Sequence, residues 1–365
     1  MRSIFVLLVV LVLVVQMLGK VSKQAAGTAD GQPVDLYTLQ DGKITVKILT
    51  YGGIVQSIEA PDRNGKTANI VLGFDGLDGY VQTGNKPYMG AIIGRYANRI
   101  AGGTFQLNGK TYHVPKNDGD NALHGGINGF NKKVWTSTES ENGVELKYVS
   151  KDGEEGFPGN LTTTVRYTLK GNELRIDYTA TSDADTVLNL TNHSYFNLKG
   201  QGNGDILGHA MKINAHRYTP VDKNLIPTGE LAPVAGTPFD FLEPTAIGAR
   251  IDADNEQLKL ARGYDQNWVL EGDGKKVIVA AEAYEPTTGR VLEVLTDQPG
   301  IQFYTGNFLD GSVTGTDGKV YKKRYAFCLE TQHYPDSPNH PEFPTTELKP
   351  GQTFRSTTVY RFSAR

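Results

Sequence analysis

Two stretches of the sequence place side chains that can transfer protons on a strand-like alternation. In the stretch 187–195 (VLNLTNHSY), Thr191, His193 and Tyr195 occupy alternate positions and share one face if the chain is extended. Asn189 falls on that same face, which is polar and aromatic but uncharged. Such a face indicates a concave binding surface more than open solvent. Because an ordinary histidine has a pKa of about 6.5, His193 can donate or accept a proton near neutral pH.

The second stretch, 325–332 (YAFCLETQ), supplies a carboxylate in the same way. Glu330 shares its face with Cys328, whereas Phe327 and Leu329 take the opposite face. A glutamate inside an otherwise apolar strand is costly unless it has a partner or a chemical purpose. A carboxylate as base and a histidine as acid form a complementary pair for general acid–base chemistry.

Each of these features also has a purely structural explanation. His193 could be a hydrogen-bonded histidine of the core. Glu330 could pair with a structural arginine such as Arg324, because ionic networks also hold buried carboxylates. Gln302 and Tyr304, which share one strand face, could be polar surface residues. No single feature decides between structure and catalysis.

The spacing of the histidines does not indicate a metal site. His209 and His216 lie seven residues apart, as do His333 and His340, and neither pair has a short ligand spacing on one element. Cys328 is the only cysteine, so no disulfide can form within the chain. The sequence therefore predicts neither a metal nor a disulfide.

The composition excludes two classes of partner. The formal net charge is −3 over 365 residues, and the isoelectric point is about 6.2. This balance gives no electrostatic attraction to nucleic acid or to an anionic membrane, so neither partner is expected. Hydrophobic residues make up 38% of the chain, which is enough for a substantial core.

The elements that must position these side chains carry the period of two that is typical of antiparallel strands. The clearest alternations are Val144–Tyr148, Leu161–Tyr167 and Leu174–Tyr178. Further runs of this kind are Ile44–Leu49, Val277–Tyr284, Val291–Leu295, Ile301–Phe308 and Phe354–Phe362. The 42 glycines and 17 prolines lie mainly between these runs, where turns require them.

This pattern predicts an all-β fold, a large antiparallel β-sandwich with few short helices. Helical periodicity is restricted to a stretch around Glu243–Leu260 and a turn near Leu77–Tyr80. No linker, charge block or internal repeat divides the chain after its first residues. Residues 27–365 are therefore predicted to form a single domain.

The first residues have the pattern of a targeting segment. Arg2 precedes an unbroken apolar run from Ile4 to Val15, and small residues follow at Gly19 and Ala25–Ala26. Residues 1–26 are predicted to be a secretory signal peptide, with an uncleaved N-terminal anchor as the alternative. The protein is accordingly expected to be exported, either periplasmic in a bacterial envelope or secreted. It should have no stable membrane partner unless the leader is retained.

Six motifs occur in one order along the chain and include both proton-transferring stretches. They are Gly94–Ile100 (GRYANRI), Leu123–Gly126 (LHGG), Asn192–Asn197 (NHSYFN), Gly263–Asn267 (GYDQN), Gln302–Phe308 (QFYTGNF) and Leu329–Asp336 (LETQHYPD). In content and order this set resembles the aldose 1-epimerase (galactose mutarotase) family. The resemblance covers nearly everything from about Val34 to the C-terminus, and six ordered motifs are far more specific than any one of them.

The resemblance implies a galactose mutarotase-like supersandwich with an open sugar cleft, acting as a monomer or weak dimer on a small-molecule aldose. It implies an isomerase that interconverts the α and β anomers of free aldohexoses such as glucose and galactose, with no cofactor. By the same resemblance His193 is the general acid and Glu330 the general base. The positions that match those holding the sugar are Asn98, Arg99, His124, Asp265 and Gln302, and Tyr195 matches a position lining the cleft.

The expected charges follow from these roles. Glu330 should be ionised, with a nearby cation such as Arg99 keeping it so, and the carboxylate should raise the pKa of His193. Two other classes of protein remain open. A glycoside hydrolase would use two carboxylates, for which Asp265 and Glu330 could serve. A non-catalytic carbohydrate-binding protein could use the same cleft, although it would need neither His193 nor Glu330.

Overall fold

The structure is a computed structural model that describes residues 19–84, 86–272 and 274–365. Its first fourteen strands are β1 (Lys20–Ala29), β2 (Gln32–Asp41), β3 (Ile44–Leu49), β4 (Val55–Pro61), β5 (Thr67–Asn69), β6 (Ile92–Ile93), β7 (Arg99–Ile100), β8 (Thr104–Leu107), β9 (Lys110–His113), β10 (Ala122–Leu123), β11 (Thr136–Ser140), β12 (Gly143–Ser150), β13 (Leu161–Lys170) and β14 (Glu173–Ser182). The later strands are β15 (Thr186–Val187), β16 (Thr191–Asn192), β17 (Ala210–Ile213), β18 (Arg217–Thr219), β19 (Ala232–Pro233), β20 (Thr245–Ala246), β21 (Asp265–Val269), β22 (Ile278–Tyr284), β23 (Arg290–Thr296), β24 (Gly300–Tyr304), β25 (Val313–Thr314), β26 (Val320–Tyr321), β27 (Cys328–Gln332), β28 (Glu347–Leu348) and β29 (Phe354–Ala364).

Three sheets carry most of these strands, and the paired strands within each sheet run antiparallel. The largest has nine strands in the order β11-β12-β13-β14-β29-β23-β22-β17-β20. A five-stranded sheet follows the chain as β1-β2-β3-β4-β5, and a second five-stranded sheet has the order β19-β18-β21-β24-β27. The predicted all-β sandwich is confirmed.

The alternations read from the sequence build the nine-stranded sheet. The three clearest runs lie within β12, β13 and β14, which are neighbours and pair in unbroken register. In β13 the buried positions are every second residue, beginning at Leu161, and the residues between them are half-buried or exposed. One face of the sheet therefore contributes to the main apolar core, where Val165, Tyr167 and Ile176 lie.

Helices are few and short among the described residues. The two α-helices are α1 (Leu77–Gln82) and α2 (Glu256–Ala261), so the helix predicted around 243–260 is confined to the end of that stretch. The Asn255 side chain accepts hydrogen bonds from the backbone N–H groups of Gln257 and Leu258, which fixes where α2 begins. Six single-turn 3-10 helices are Ala101–Gly103, Phe130–Lys132, Glu154–Gly156, Ile247–Ala249, Thr316–Gly318 and Ser337–Asn339.

The stretch that contains His193 is less regular than its alternation predicts. Val187 ends β15, and after it Thr191 and Asn192 form the strand β16, which pairs with β6. Before it, the backbone of Asn189 pairs with residues 95 and 97 instead. The backbone partners therefore change within a few residues, and Asn189 and Thr191 are fully buried instead of lining a cleft.

The N-terminal part of the described chain belongs to the fold. Strand β1 begins at Lys20 and pairs along its length with β2, with Gln24 opposite Leu36. The sandwich therefore includes residues 20–26, which the predicted boundary at residue 27 left out. The apolar run from Ile4 to Val15 lies outside the described residues, so the signal peptide remains a prediction. Within the described ranges, no helix has the length and apolar character needed to cross a membrane.

Candidate active site

The sheet that ends in β27 aligns polar side chains on one face by simple register. Because side chains alternate along each strand, residues opposite one another across β21, β24 and β27 share a face. Two such rows lie next to each other, one formed by Asp265, Tyr304 and Cys328 and the other by Asn267, Gln302 and Glu330. The intervening positions, such as Phe303 and Leu329, are in the main apolar core. This register brings together the motifs Gly263–Asn267, Gln302–Phe308 and Leu329–Asp336.

Backbone hydrogen bonds bring the His193 segment onto this face. Phe196 and Phe327 exchange N–H···O bonds of 2.7 and 3.0 Å, which fasten the segment to the residue before β27. The backbone of His193 is also fixed, since its N–H donates to Ala91 and its carbonyl accepts from Gly90. As a result the Nε2 atom of His193 lies 3.5 Å from Oε1 of Glu330, with both side chains almost fully buried. The two predicted proton-transfer groups are therefore neighbours.

The Asn98 and His124 segments are held by a reciprocal pair of hydrogen bonds. The backbone N–H of His124 donates to the carbonyl of Asn98 at 3.0 Å, and the backbone N–H of Asn98 donates to Nδ1 of His124 at 3.1 Å. Both residues adopt positive φ angles, 63° and 53°, which asparagine and histidine tolerate better than most side chains. Because Nδ1 accepts a hydrogen bond, the proton of the neutral imidazole lies on Nε2. His124 therefore has an N–H donor on its free side.

Arg99 and Gln302 each stabilise an acidic neighbour, though not the one expected for Arg99. The Nε atom of Arg99 lies 2.8 Å from Asp118, whose side chain is partly exposed. The side-chain amide of Gln302 donates to both the carbonyl oxygen and Oδ1 of Asp265, each at 2.9 Å. Arg324, the alternative structural partner of Glu330, instead pairs with Asp252. Glu330 is thus not held by a structural arginine, and its Oε2 atom is buried without a hydrogen-bond partner among the described residues.

Burial sets the charges in the site, and its effect is opposite to the one predicted. Burial raises the pKa of Glu330 well above its ordinary value, and the Asp265 carboxylate adds to the rise more than Arg99 opposes it. Burial lowers the pKa of His193 to about 4, so the neighbouring carboxylate does not raise it. Burial likewise raises the pKa of Asp265 to about 6, against the lowering effects of Arg99 and Gln302. The expectation that Arg99 keeps Glu330 ionised and that Glu330 raises the pKa of His193 is wrong, because desolvation dominates both groups.

Aromatic rings enclose the two histidines. The ring of Tyr195 lies 5.0 Å from that of His193, measured between centroids, and the ring of Tyr304 lies 6.5 Å away. The ring of Tyr88 lies 4.6 Å from His124 and 6.0 Å from His193. These rings restrict how the imidazoles can turn, and they present apolar faces of the kind that a sugar ring contacts.

One cavity of about 470 Å³ joins these groups. The predicted site residues that line it are Asn98, Arg99, His124, His193, Tyr195, Asp265 and Glu330. Gln302 is not among the lining residues, because its side-chain amide points to Asp265 and donates a hydrogen bond to that carboxylate. A cavity of this volume, with several polar groups converging on it, is typical of a small-molecule site.

Several lining residues escaped the sequence analysis. They are Tyr88, Asp118, Lys223, Asn224, Arg262 and Phe308. Most of them come from loops, where no periodicity marks the direction of a side chain. Tyr304, which also lines the cavity, had a signal, since the alternation placed it on the face of Gln302, but the sequence gives no reason to prefer it over other polar neighbours.

The site also contains a group of possible metal ligands. His124, His193 and Glu330 each offer one ligand atom within 4.8 Å of the others. Two histidines and a carboxylate can bind a transition metal. However, metal coordination requires a free lone pair, and the hydrogen bond from Asn98 leaves the proton of His124 on Nε2. This tautomer suits His124 to donate a hydrogen bond to an oxygen, and it disfavours His124 as a ligand.

The fold and the site together define an antiparallel β-sandwich with a neighbouring histidine and glutamate in the wall of a small-molecule cavity. The family model described as aldose 1-epimerase matches residues 35–361. The chain belongs to the aldose 1-epimerase family and is therefore an epimerase-type enzyme that acts on carbohydrates.

Individual relatives give the same result. Galactose mutarotase of Rattus norvegicus is 46% identical over 333 residues, which are 91% of this chain and 95% of that protein. Aldose 1-epimerase of Escherichia coli is 40% identical over 343 residues, or 92% of this chain and 97% of the relative. The crystal structure of a galactose 1-epimerase from Lactobacillus acidophilus covers 94% of this chain and 99% of its own, with a TM-score of 0.81 and 29% identity.

These relatives correct the predicted location. The expectation of a periplasmic or secreted protein of a bacterial envelope is wrong, because the mammalian galactose mutarotases share more positions with the chain than the Escherichia coli enzyme does, and they are not bacterial periplasmic proteins. The predicted location was based on Arg2, on the apolar run at residues 4–15 and on the small residues that follow it, and these features do not by themselves determine where a protein is located.

Proposed function

We propose that the protein interconverts the α and β anomers of free aldohexoses such as glucose and galactose, with Glu330 as the base and His193 as the acid. The observation that carries the proposal is the position of these two groups. They lie 3.5 Å apart, Nε2 to Oε1, in the wall of one cavity with hydrogen-bonding side chains around it. No group is transferred and nothing is oxidised in this reaction, so moving protons is sufficient.

The reaction opens and closes the sugar ring. Glu330 takes the proton of the anomeric hydroxyl, the bond between C1 and the ring oxygen breaks, and the ring oxygen takes a proton from His193. The open-chain aldehyde then turns about its C1–C2 bond, and the ring closes on the other face of C1 while both protons return. The two groups begin as a carboxylate and an imidazolium and are both neutral after opening, so their total charge does not change.

Burial strengthens each group in its role. A carboxylate whose pKa is raised is a stronger base, and an imidazolium whose pKa is lowered is a stronger acid. The ring oxygen of a sugar is a very weak base, so a strong acid is what its protonation requires. The same burial makes the reactive form, with Glu330 as a carboxylate and His193 as an imidazolium, less populated than the form in which both groups are neutral. Hydrogen bonds from sugar hydroxyls to the carboxylate can offset this effect. The partnerless Oε2 of Glu330 can accept such a hydrogen bond.

The remaining lining residues are suited to hold the sugar. The Nε2–H of His124 and the guanidinium of Arg99 can donate to hydroxyl oxygens, while Asp265 can accept from hydroxyl groups. Tyr195 packs against the imidazole of His193 and contributes an aromatic face to the cavity. Positioning of this kind lowers the entropic cost of bringing the anomeric centre to the acid–base pair.

We expect the pH to act on substrate binding through Asp265. Its carboxylate is charged above pH 6 and becomes protonated as the pH falls through about 6, which removes a charged acceptor for sugar hydroxyls. The KM for galactose should therefore rise about 10-fold from pH 7.5 to pH 5, while kcat changes little. In the Asp265→Asn variant KM should be high throughout and should not vary over this range. Initial rates measured from pH 4.5 to 8 test this, and a KM of the wild type that stays flat through pH 6 would remove Asp265 from this role.

We also expect the reaction to proceed without a metal ion, because the tautomer of His124 disfavours coordination by the group of His124, His193 and Glu330. Exhaustive dialysis against EDTA should leave kcat unchanged within experimental error. Loss of activity on dialysis that added Zn²⁺ or Mn²⁺ restores would contradict this expectation.

Exchange between the anomers at equilibrium separates this function from its two alternatives. With the protein present, proton NMR should show magnetisation passing between the anomeric signals of α- and β-galactose faster than in buffer. A glycoside hydrolase would instead release the aglycone from an aryl galactoside, and a binding protein would broaden signals without faster exchange. Exchange no faster than in buffer for any common aldose would refute the proposed function.

A further inference from the structure

We propose that Cys328 is a positioning residue for this reaction, which holds the second ring nitrogen of His193 and thereby decides which nitrogen faces the sugar. The inference rests on the proposed role of His193 as the acid. It concerns a residue that makes no contact with the transferred protons and that the structure places behind the imidazole.

The two ring nitrogens of His193 have different partners. Nε2 lies 3.5 Å from Glu330, on the side of the cavity, whereas Nδ1 lies 3.5 Å from Sγ of Cys328. That second distance is within the range of a hydrogen bond to sulfur. Cys328 is fully buried and does not line the cavity, so no water or sugar competes for its contact with Nδ1. The sulfur is therefore a permanent neighbour of the imidazole.

The backbone around this contact is fixed from both sides. Cys328 lies on β27 opposite Tyr304 of β24, and the residue before it, Phe327, exchanges backbone hydrogen bonds with Phe196. The backbone of His193 is bound to residues 90 and 91. The remaining freedom of His193 is rotation about its side-chain bonds. The Nδ1–sulfur contact restricts this rotation, and the packed ring of Tyr195 restricts it further.

A thiol orients the histidine without adding a charge to its surroundings. Two other histidines have oxygen or nitrogen partners at Nδ1. The buried His124 accepts from the Asn98 N–H, and Nδ1 of the half-buried His333 lies 2.9 Å from the side-chain oxygen of Gln298. Burial raises the pKa of Cys328 well above its ordinary value, so the group stays a neutral thiol and a weak hydrogen-bond partner. A carboxylate at this place would stabilise the imidazolium and weaken it as an acid.

Most of the titratable groups around His193 are neutral near pH 7, so the effect of Cys328 on the imidazole can be separated from theirs. Those that face the imidazole from the packed elements are Tyr88, His124, Tyr195, Tyr304, Cys328 and Glu330. The three tyrosines are uncharged near neutral pH, since burial raises the pKa of each. His124 is neutral as well, because burial lowers its pKa. A change at Cys328 alone therefore alters the partner of Nδ1 and leaves the other groups as they were.

Two variants and one control test this inference. Cys328→Ala should lower kcat about 10-fold with KM within twofold of wild type, because the acid is present but no longer fixed. Cys328→Ser should recover most of the loss. Because a hydroxyl oxygen is a better hydrogen-bond acceptor than sulfur, it should stabilise the imidazolium of His193. The fall of kcat at low pH, which we call the acid limb of the pH profile, should therefore move to higher pH. Leu329→Val, on the same strand but facing the core, should change neither kcat nor the pH profile.

Nitrogen-15 NMR of labelled histidine reports the tautomer of His193 directly and does not depend on activity. Wild type and Cys328→Ser should each show one tautomer, and Cys328→Ala a mixture. A Cys328→Ala variant with the kcat, pH profile and tautomer of the wild type would overturn the positioning role, even if His193→Gln is inactive. An active His193→Gln variant would instead refute the proposed role of His193 as the acid, on which this inference rests. If Cys328→Ala fails to fold, the Cys328→Ser pH profile still decides, since an unmoved acid limb would contradict the inference.

Discussion

The Glu330→Gln variant is expected to lose about 10²- to 10⁴-fold in kcat, because the amide cannot accept the proton of the anomeric hydroxyl. The substitution preserves the shape of the side chain. It also removes a group that is costly to ionise where it lies, since burial raises its pKa. The melting temperature should therefore be equal to or higher than that of the wild type. Polarimetric rates at saturating galactose, together with a thermal unfolding curve, give both quantities.

Glu285 offers a matched control for Glu330. It is also fully buried, but it lies outside the cavity, and its carboxylate accepts hydrogen bonds from Thr287 and Thr288. Burial raises its pKa, yet these bonds outweigh burial and lower it to about 2. Since its folded pKa is below its unfolded one, its contribution to stability is present above pH 4.5 and is lost as the pH falls through about 2. The Glu285→Gln variant should therefore be less stable than the wild type at pH 7 and have the same kcat. If the Glu330→Gln variant also has the kcat of the wild type, Glu330 is not the base.

The His193→Gln variant is expected to show a loss of similar size. A glutamine amide can still donate a hydrogen bond to the ring oxygen, but it cannot transfer a proton, so kcat should fall about 10²- to 10⁴-fold while KM stays within a few-fold. His333 is a suitable control, because it is a half-buried histidine whose pKa burial also lowers to about 4 and it lies outside the cavity. The rate of His333→Gln should equal that of the wild type. Should His193→Gln retain the wild-type rate, a different group must protonate the ring oxygen.

The double variant His193→Gln/Glu330→Gln tests whether the two groups act as a pair. If each proton transfer requires the other, removing the second group after the first should lower kcat little further. The double variant should therefore be about as slow as the slower single variant. A loss equal to the product of the two single losses would indicate that the groups act independently.

The alternation of residue types predicted much of the sheet structure. The runs in β12, β13 and β14 became neighbouring strands, and the alternation in 325–332 placed Cys328 and Glu330 on one face as expected. These successes share a cause, since a strand that is buried on one face must alternate. The stretch around His193 departed from the prediction because its partners lie far away in the chain, at residues 91–97, and local pattern contains no information about them.

The electrostatics of the site could not be predicted from the sequence. Arg99 binds Asp118 instead of Glu330, and Gln302 donates a hydrogen bond to Asp265. Both contacts depend on how separate loops and strands meet in the fold. The pKa directions depend on burial, which residue types alone do not specify. The proposed acid–base pair came from the motifs, and the structure adds that its two members are buried neighbours whose pKa values are shifted mainly by burial.

The rate of mutarotation of freshly dissolved α-D-galactose in a polarimeter tests the central claim most directly. With the wild-type protein the optical rotation should reach its equilibrium value faster than in buffer, in proportion to protein concentration. With the double variant His193→Gln/Glu330→Gln at the same concentration the acceleration over buffer should be about 10²- to 10⁴-fold smaller. The account is contradicted if the wild type gives only the buffer rate with galactose, glucose and other common aldoses, or if the double variant accelerates the change as the wild type does.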